Sequence, residues 1–234
     1  MREPRSARRP RSPEDLVGAL RAQGIRDRRV IAAFRAIPRA LFVPPTAAHL
    51  AYVDEPIRIP HGQVTTQPSL IARMVQALRL TGTERVLEVG TGLGFQTAIL
   101  AMLARQVVSV ERFADLAEQA RANLEAAGLG HITVVVGDGT LGVPERAPYP
   151  AIVVAAASPR IPGPLVEQLA PGGRLVHPVG PGGHELVTLF HKEGDRLVTD
   201  AQLTPAFFVP LVGRHGVPGA VLPDSDGVTR PPPH

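Results

Sequence analysis

The stretch Arg85 to Leu100, RVLEVGTGLGFQTAIL, decides the fold. Arg85 to Val89 places alternating and β-branched apolar residues before a glycine, which predicts a buried strand. Gly90, Gly92 and Gly94 follow at every second position. There the missing Cβ permits positive φ and lets the backbone approach a ligand closely. From Phe95 a helix is expected, with Ile99, Leu100, Met102 and Leu103 on its apolar face. Such a helix start turns unpaired backbone N–H groups towards whatever occupies the turn.

Spacing discriminates between ligands. The dinucleotide fingerprint is G-x-G-x-x-G with pyrophosphate on the helix N-terminus, whereas this turn reads G-x-G-x-G and follows an acidic residue, Glu88. A carboxylate there would repel pyrophosphate and would suit a cation; S-adenosylmethionine carries an ammonium and a sulfonium. The alternative reading of the glycines alone is a tight strand-to-helix turn with no ligand.

Downstream residues favour the ligand. Val107 to Val110 reads as a second strand ending in Glu111, 21 residues beyond Gly90. In doubly wound folds an acid at that position accepts the two hydroxyls of a ribose. A helix from about Phe113 to Ala127 leads to a third strand, Ile132 to Val136, and then to Gly137-Asp138-Gly139. Parallel strands deliver their carboxyl ends to one edge, so Asp138 would lie near Glu111 and could accept an adenine amine, although an aspartate between glycines is also an ordinary turn. A strand at Ala151 to Ala156, a helix at Pro164 to Leu169, a Pro171-Gly172-Gly173 turn and a strand at Arg174 to Val179 continue the pattern. Glu185 to His191 and Arg196 to about Leu203 form a hairpin through Lys192-Glu193-Gly194-Asp195, and Ala206 to Val212 is the last apolar element.

Upstream, Ser12 caps a helix with Pro13 at its first position, carrying Leu16, Val17 and Leu20 to a stop near Gly24. Asp27 caps a second helix that ends before Pro38. Prolines make residues 42–60 an irregular wrap. His61 to Gln67 is a polar loop before a helix that starts at Pro68, and Thr66 is read first as the cap of that helix and second as a site residue.

Composition narrows the function. Hydrophobic content of 44% and charged content of 20% are those of a globular protein with one sizeable core. The net charge of +4 is carried by Arg2, Arg5, Arg8, Arg9 and Arg11 against Glu3, so the remainder is neutral and nucleic-acid binding is not expected. The chain lacks cysteine, which excludes disulfides and thiolate sites. His177, His184 and His191 recur every seven residues, but the intervening prolines and glycines keep them off one helical face, and no metal site is expected. No apolar run reaches membrane length and no signal-like segment follows the arginines, so a cytoplasmic protein without membrane contact is expected. Residues 1–12 and 218–234 read as disordered tails flanking one domain, 13–217: N-terminal helices and loop to residue 80, then the α/β core.

The motifs together resemble the protein-L-isoaspartate O-methyltransferase family. They are RALFVP near Arg39, HGQVTTQPSLIARM, VLEVGTGLGFQTAIL, VSVER, GDGTLGVPERAPY, LVEQLAPGGRLVHPVG and FVPLVG, spread over Leu16 to Gly216 in the family's order. The resemblance implies a class I S-adenosylmethionine-dependent methyltransferase with a doubly wound, mostly parallel, seven-stranded Rossmann-like sheet. It implies a cofactor pocket formed by Gln63, Thr65, Thr66, Glu88, Gly90, Thr91, Gly92, Gly94, Glu111, Asp138 and Gly139, with Thr66 as the active-site residue. The implied reaction esterifies the free α-carboxylate of isoaspartyl residues in damaged proteins and peptides, and the ester then closes to a succinimide. A monomer is expected.

Two positions depart from the family's usual pattern. Thr66 stands where serine is usual, keeping the hydroxyl on a stiffer side chain. Pro150 stands where aspartate usually follows the tyrosine. Thr66 leaves open a relative that esterifies an aspartate of one dedicated peptide. A non-catalytic cofactor binder would need a damaged loop, and Glu88 with the glycine spacing disfavours a nicotinamide oxidoreductase.

Overall fold

In the computed structural model, which describes residues 12–181 and 183–218, the chain begins with a reciprocal cap. Ser12 accepts the Asp15 N–H while Asp15 accepts the Ser12 N–H, opening α1 (Pro13–Ala22). Asp27 accepts from Arg29 and Val30 and opens α2 (Arg28–Ala36). Two 3₁₀ turns, Arg39–Phe42 and Pro45–Leu50, carry the proline-rich wrap. A short hairpin of β1 (Arg58–Ile59) and β2 (Gln63–Val64) follows, then α3 (Pro68–Ala77). Ends of the expected tails, 1–11 and 219–234, lie outside the described residues.

The main sheet has seven strands: β3 (Arg85–Val89), β4 (Gln106–Glu111), β5 (Thr133–Val136), β6 (Tyr149–Val154), β7 (Leu169–Val179), β8 (Glu185–Glu193) and β9 (Arg196–Ala206). Their spatial order is β5-β4-β3-β6-β7-β8-β9, with every pair up to β7 parallel and the last two antiparallel. Helices α4 (Phe95–Ala101), α5 (Ala114–Ala126) and α6 (Gly163–Gln168) connect the parallel strands. The order reverses between β3 and β6, and in open α/β sheets ligands lie outside the carboxyl ends of the strands at such a switch point.

β3 is buried on both faces, as a central parallel strand must be. Phe95, the first residue of α4, meets Phe34 edge-on at 5.5 Å and Phe42 at 5.9 Å, so the N-terminal helices are pinned to the helix that follows the glycine turn. Each such aromatic pair contributes about 0.5–1.5 kcal/mol beyond its buried area. Lys192, the only lysine, donates to the carbonyls of Val166 and Leu169 at 2.9 and 2.8 Å and so satisfies the C-terminal end of α6.

The start of one strand differs from the sequence expectation. β7 starts at Leu169 and runs through Pro171-Gly172-Gly173, which is a bulge in the strand rather than a turn before it: Tyr149 pairs with Leu169 and Ala151 with Arg174. Pro150 sits exposed at that irregularity, where its missing N–H costs no ladder bond. Residues 207–212 run past the carboxyl end of β6, where the Ala157 N–H donates to Val209 O at 2.8 Å and the Leu211 N–H donates to Ala157 O at 2.6 Å.

Candidate active site

The three glycines of the turn have φ of 95°, 56° and 94°, a region that costs an L side chain strain. A Cβ on Gly90 would stand in ordinary contact with the Ala155 Cβ at 3.4 Å, so backbone conformation is what calls for glycine there. A Cβ on Gly139 would overlap Val89 Cγ1. Backbone, and not side chain, therefore forms the floor of a cleft of about 870 Å³, open solvent at its mouth included.

Glu111 stands at the end of β4 with both oxygens oriented: Oε2 accepts the Gly92 N–H at 2.9 Å and Oε1 accepts the Phe113 N–H at 3.1 Å. Each oxygen keeps a lone pair for a further donor. Gln63, Thr65, Thr66, Gly90, Thr91, Gly92, Glu111 and Gly139 all line this cleft.

Glu88, Gly94 and Asp138 do not. Glu88 is fully buried beneath the turn, where it accepts from Gln96 at 3.0 Å, Thr97 at 2.5 Å and Ser109 at 2.6 Å. Burial pushes its carboxyl up to about 7 despite those three donors. Gly94 is the N-cap of α4 and packs against Ala120 and Leu124. Asp138 spends one oxygen on Thr140 and the other on the Arg214 N–H at 2.7 Å, and these bonds hold its carboxyl below the usual range although burial opposes them. It ties the C-terminal segment to the sheet edge, and a glycine is required opposite it because a Cβ on Gly213 would overlap its carboxylate.

Thr66 is not a helix cap. The N-cap of α3 is Gln67, which makes no side-chain cap bond, and the donor next to it, Ser69 N–H, is taken by Asp54 Oδ1 at 2.7 Å. The Thr66 hydroxyl makes no hydrogen bond among the described residues, and Thr66 lines both the first cleft and an adjoining groove. Thr65 is committed differently: its hydroxyl accepts from Ile57 N–H at 3.0 Å and from Arg39 at 3.3 Å. Arg39 is itself buried and also donates to the carbonyls of Ala51, Val53 and Glu55, and desolvation draws its guanidinium down to about 10. This buried arginine fastens the irregular wrap beneath the loop that carries Thr66.

Sequence reading missed several walls of the cleft. Phe113 and Leu116 lie just past Glu111, and residues 209–212 close the far side. The FVPLVG motif was the signal for the second group; nothing local marks the first.

Geometry of this kind defines a class: a seven-stranded doubly wound methyltransferase that takes S-adenosylmethionine at the switch point of the sheet. The residues fit that cofactor, since an oriented carboxylate is ready for ribose hydroxyls and a side-chain-free floor lies over a buried acid. Comparison with known proteins narrows the class. The family model for protein-L-isoaspartate(D-aspartate) O-methyltransferase (PCMT) matches residues 11–216. Protein-L-isoaspartate O-methyltransferase of Methanoculleus marisnigri is 53% identical over 205 residues, covering 87% of this chain and 92% of that one. The protein of the same name from Aeropyrum pernix is 47% identical, over 86% and 79% of the two chains. A solved protein-L-isoaspartate O-methyltransferase superposes with TM-score 0.77 at 30% identity, over 87% of this chain and 67% of that one. A Plasmodium falciparum structure described as a putative protein-L-isoaspartate O-methyltransferase, in complex with S-adenosyl-L-homocysteine, shares the fold at TM-score 0.73 and 22% identity, over 85% and 97% of the two chains. The chain belongs to the protein-L-isoaspartate O-methyltransferase family, and its activity is S-adenosylmethionine-dependent methylation that initiates repair of isoaspartyl residues.

Proposed function

We propose that Thr66 is the residue that holds the isoaspartyl α-carboxylate for transfer, and that Glu111 with the backbone of Gly90, Gly92 and Gly139 holds the methyl donor. The observation that carries this is the position of Thr66 on the shared wall of two clefts, with a hydroxyl that no group among the described residues uses. The first cleft contains the glycine turn and Glu111; the second is a groove lined by Leu70, Arg73, Phe207 and Phe208. Val64, Thr65, Thr66, Ala155 and Val209 belong to both.

S-adenosylmethionine, when bound, supplies a methyl group on a sulfonium. The chain's own work is alignment. An α-carboxylate is ionised at neutral pH, so no general base is needed. One neutral donor can orient the carboxylate without neutralising it, and orientation at about 3 Å contact is where such a site gains rate. The Glu88 carboxyl beneath the turn, hydrogen-bonded to Ser109, Thr97 and Gln96, anchors the turn to β4 and α4 rather than making a direct contact.

The proposed working form is a monomer in the cytoplasm. The test of function is methyl transfer to an isoaspartyl peptide beside its normal aspartyl counterpart. Transfer to the isoaspartyl form alone supports the assignment, and transfer to neither overturns it.

A further inference from the structure

The hairpin β1–β2 lies across the mouth of the donor cleft and is fastened on its far side. Its turn residue His61 has φ of 60°, left-handed in a non-glycine residue. The imidazole lies flat on Phe113, with ring centroids 4.1 Å apart and 3° between planes, and its Nε2 is 2.7 Å from Asp115 Oδ2. On the near side Ile59 is buried against Leu93, Leu116 and Phe113, directly above Gly92. The hairpin therefore spans from the loop that bears Thr66, over the glycine turn, to the first turn of α5, and Ile59, Gln63 and Phe113 line the cleft from it and beneath it.

The fastening is exposed, with side-chain exposures of 37% for His61 and 62% for Asp115. An exposed hydrogen bond to a carboxylate and one ring stack bias a conformation without locking it. The neighbouring Arg112 guanidinium faces the Phe113 ring at 4.8 Å. We propose that His61 is a positioning residue: clasped to Asp115 and Phe113, it holds the hairpin shut over the donor cleft, and its release is the step that lets the spent cofactor leave. In many enzymes such opening, and not the chemistry, limits turnover.

This rests on the cleft holding the cofactor. Calorimetric binding of S-adenosylhomocysteine to the unaltered protein reports on that point by itself, whereas the clasp is read from release rates. In stopped-flow release of S-adenosylhomocysteine, His61→Ala should dissociate about 10-fold faster and Asp115→Asn about 3-fold faster, as loss of a stack and a surface pair implies. His61→Phe, which keeps the stack, should lie between His61→Ala and the unaltered protein. Adding Asp115→Asn to His61→Ala should change little further. Asp200→Asn, which breaks the comparable exposed pair with His191 far from the cleft, should release at the original rate. Unchanged release from a folded His61→Ala, or equal acceleration by Asp200→Asn, overturns the proposal. Should His61→Ala fail to fold, the Asp115→Asn rate decides.

Discussion

The Gly92 backbone N–H donates to the Glu111 carboxylate at 2.9 Å, joining the middle of the glycine turn to the end of the neighbouring strand. The acid is thus aimed before any ligand arrives, and the turn is held open by the group that would accept the ribose. Pre-orientation of this kind lowers the ordering cost of binding.

Glu111→Ala should weaken S-adenosylmethionine binding by about 1.5–3 kcal/mol, the worth of hydrogen bonds to a charged acceptor. Glu111→Gln should lose less, because its carbonyl oxygen still accepts one N–H. Calorimetric affinities of the two folded variants check this; equal affinity to the original would show that Glu111 only shapes the turn.

Thr66→Ser should keep or raise methylation of isoaspartyl peptides. Thr66→Val should lower the rate by roughly one to two decades, the equivalent of one charge-assisted hydrogen bond. Since Thr66 caps nothing, neither change should move the melting temperature by more than about 1 °C. Wild-type turnover from Thr66→Val would transfer the alignment role to Gln63 or to the loop backbone.

Asp54 carries the capping role instead. Its loss in Asp54→Ala frees the Ser69 N–H and the Gln67 amide and should cost about 1–2 kcal/mol. In a chain of this size that lowers the melting temperature by roughly 2–8 °C. A calorimetric scan beside Thr66→Ala separates the two residues.

Two buried groups give stability opposite slopes with pH. The Glu88 carboxyl is raised by burial to about 7, so its contribution is present below the unfolded pKa near 4.5 and is lost as pH rises to 7, up to about 3 kcal/mol. Burial lowers His177 to about 3; its contribution is present above about 6.5 and is lost as pH falls to 3, up to about 5 kcal/mol. The His177 ring is consistent with the neutral form, for Ser158 gives its proton to Arg160 O and leaves Nε2–H to donate to Ser158, with Nδ1 unpaired. Denaturant unfolding from pH 4 to 8 should show a maximum near pH 5–6. Glu88→Gln should flatten the alkaline side and His177→Gln the acid side; an unchanged slope in either variant refutes its assignment.

Local chemistry made much of this legible. Caps at Ser12 and Asp27, the strand, turn and helix from Arg85, and Glu111 at a strand end all depend on residues within a few positions of each other. What escaped depends on distant partners. Asp138 is drawn away from the cleft by Arg214, 76 positions on. Asp54 takes the cap that Thr66 was expected to fill, and the start of β7 is set by pairing with Tyr149. Glu88 points into the protein because Ser109 faces it across the β3–β4 ladder, with Thr97 and Gln96 arriving from α4.

The far wall of the donor cleft has a consequence for how the protein is made. Residues 209–212 are translated about 120 residues after Gly90. At about 5–20 residues per second, the glycine turn waits roughly 6–25 s on the ribosome before its cleft can close. During that interval the nascent chain offers the cofactor a floor without a wall. Cofactor capture therefore belongs to the last stage of synthesis, and a ligand that stabilises the finished enzyme gives little help to the chain while it emerges.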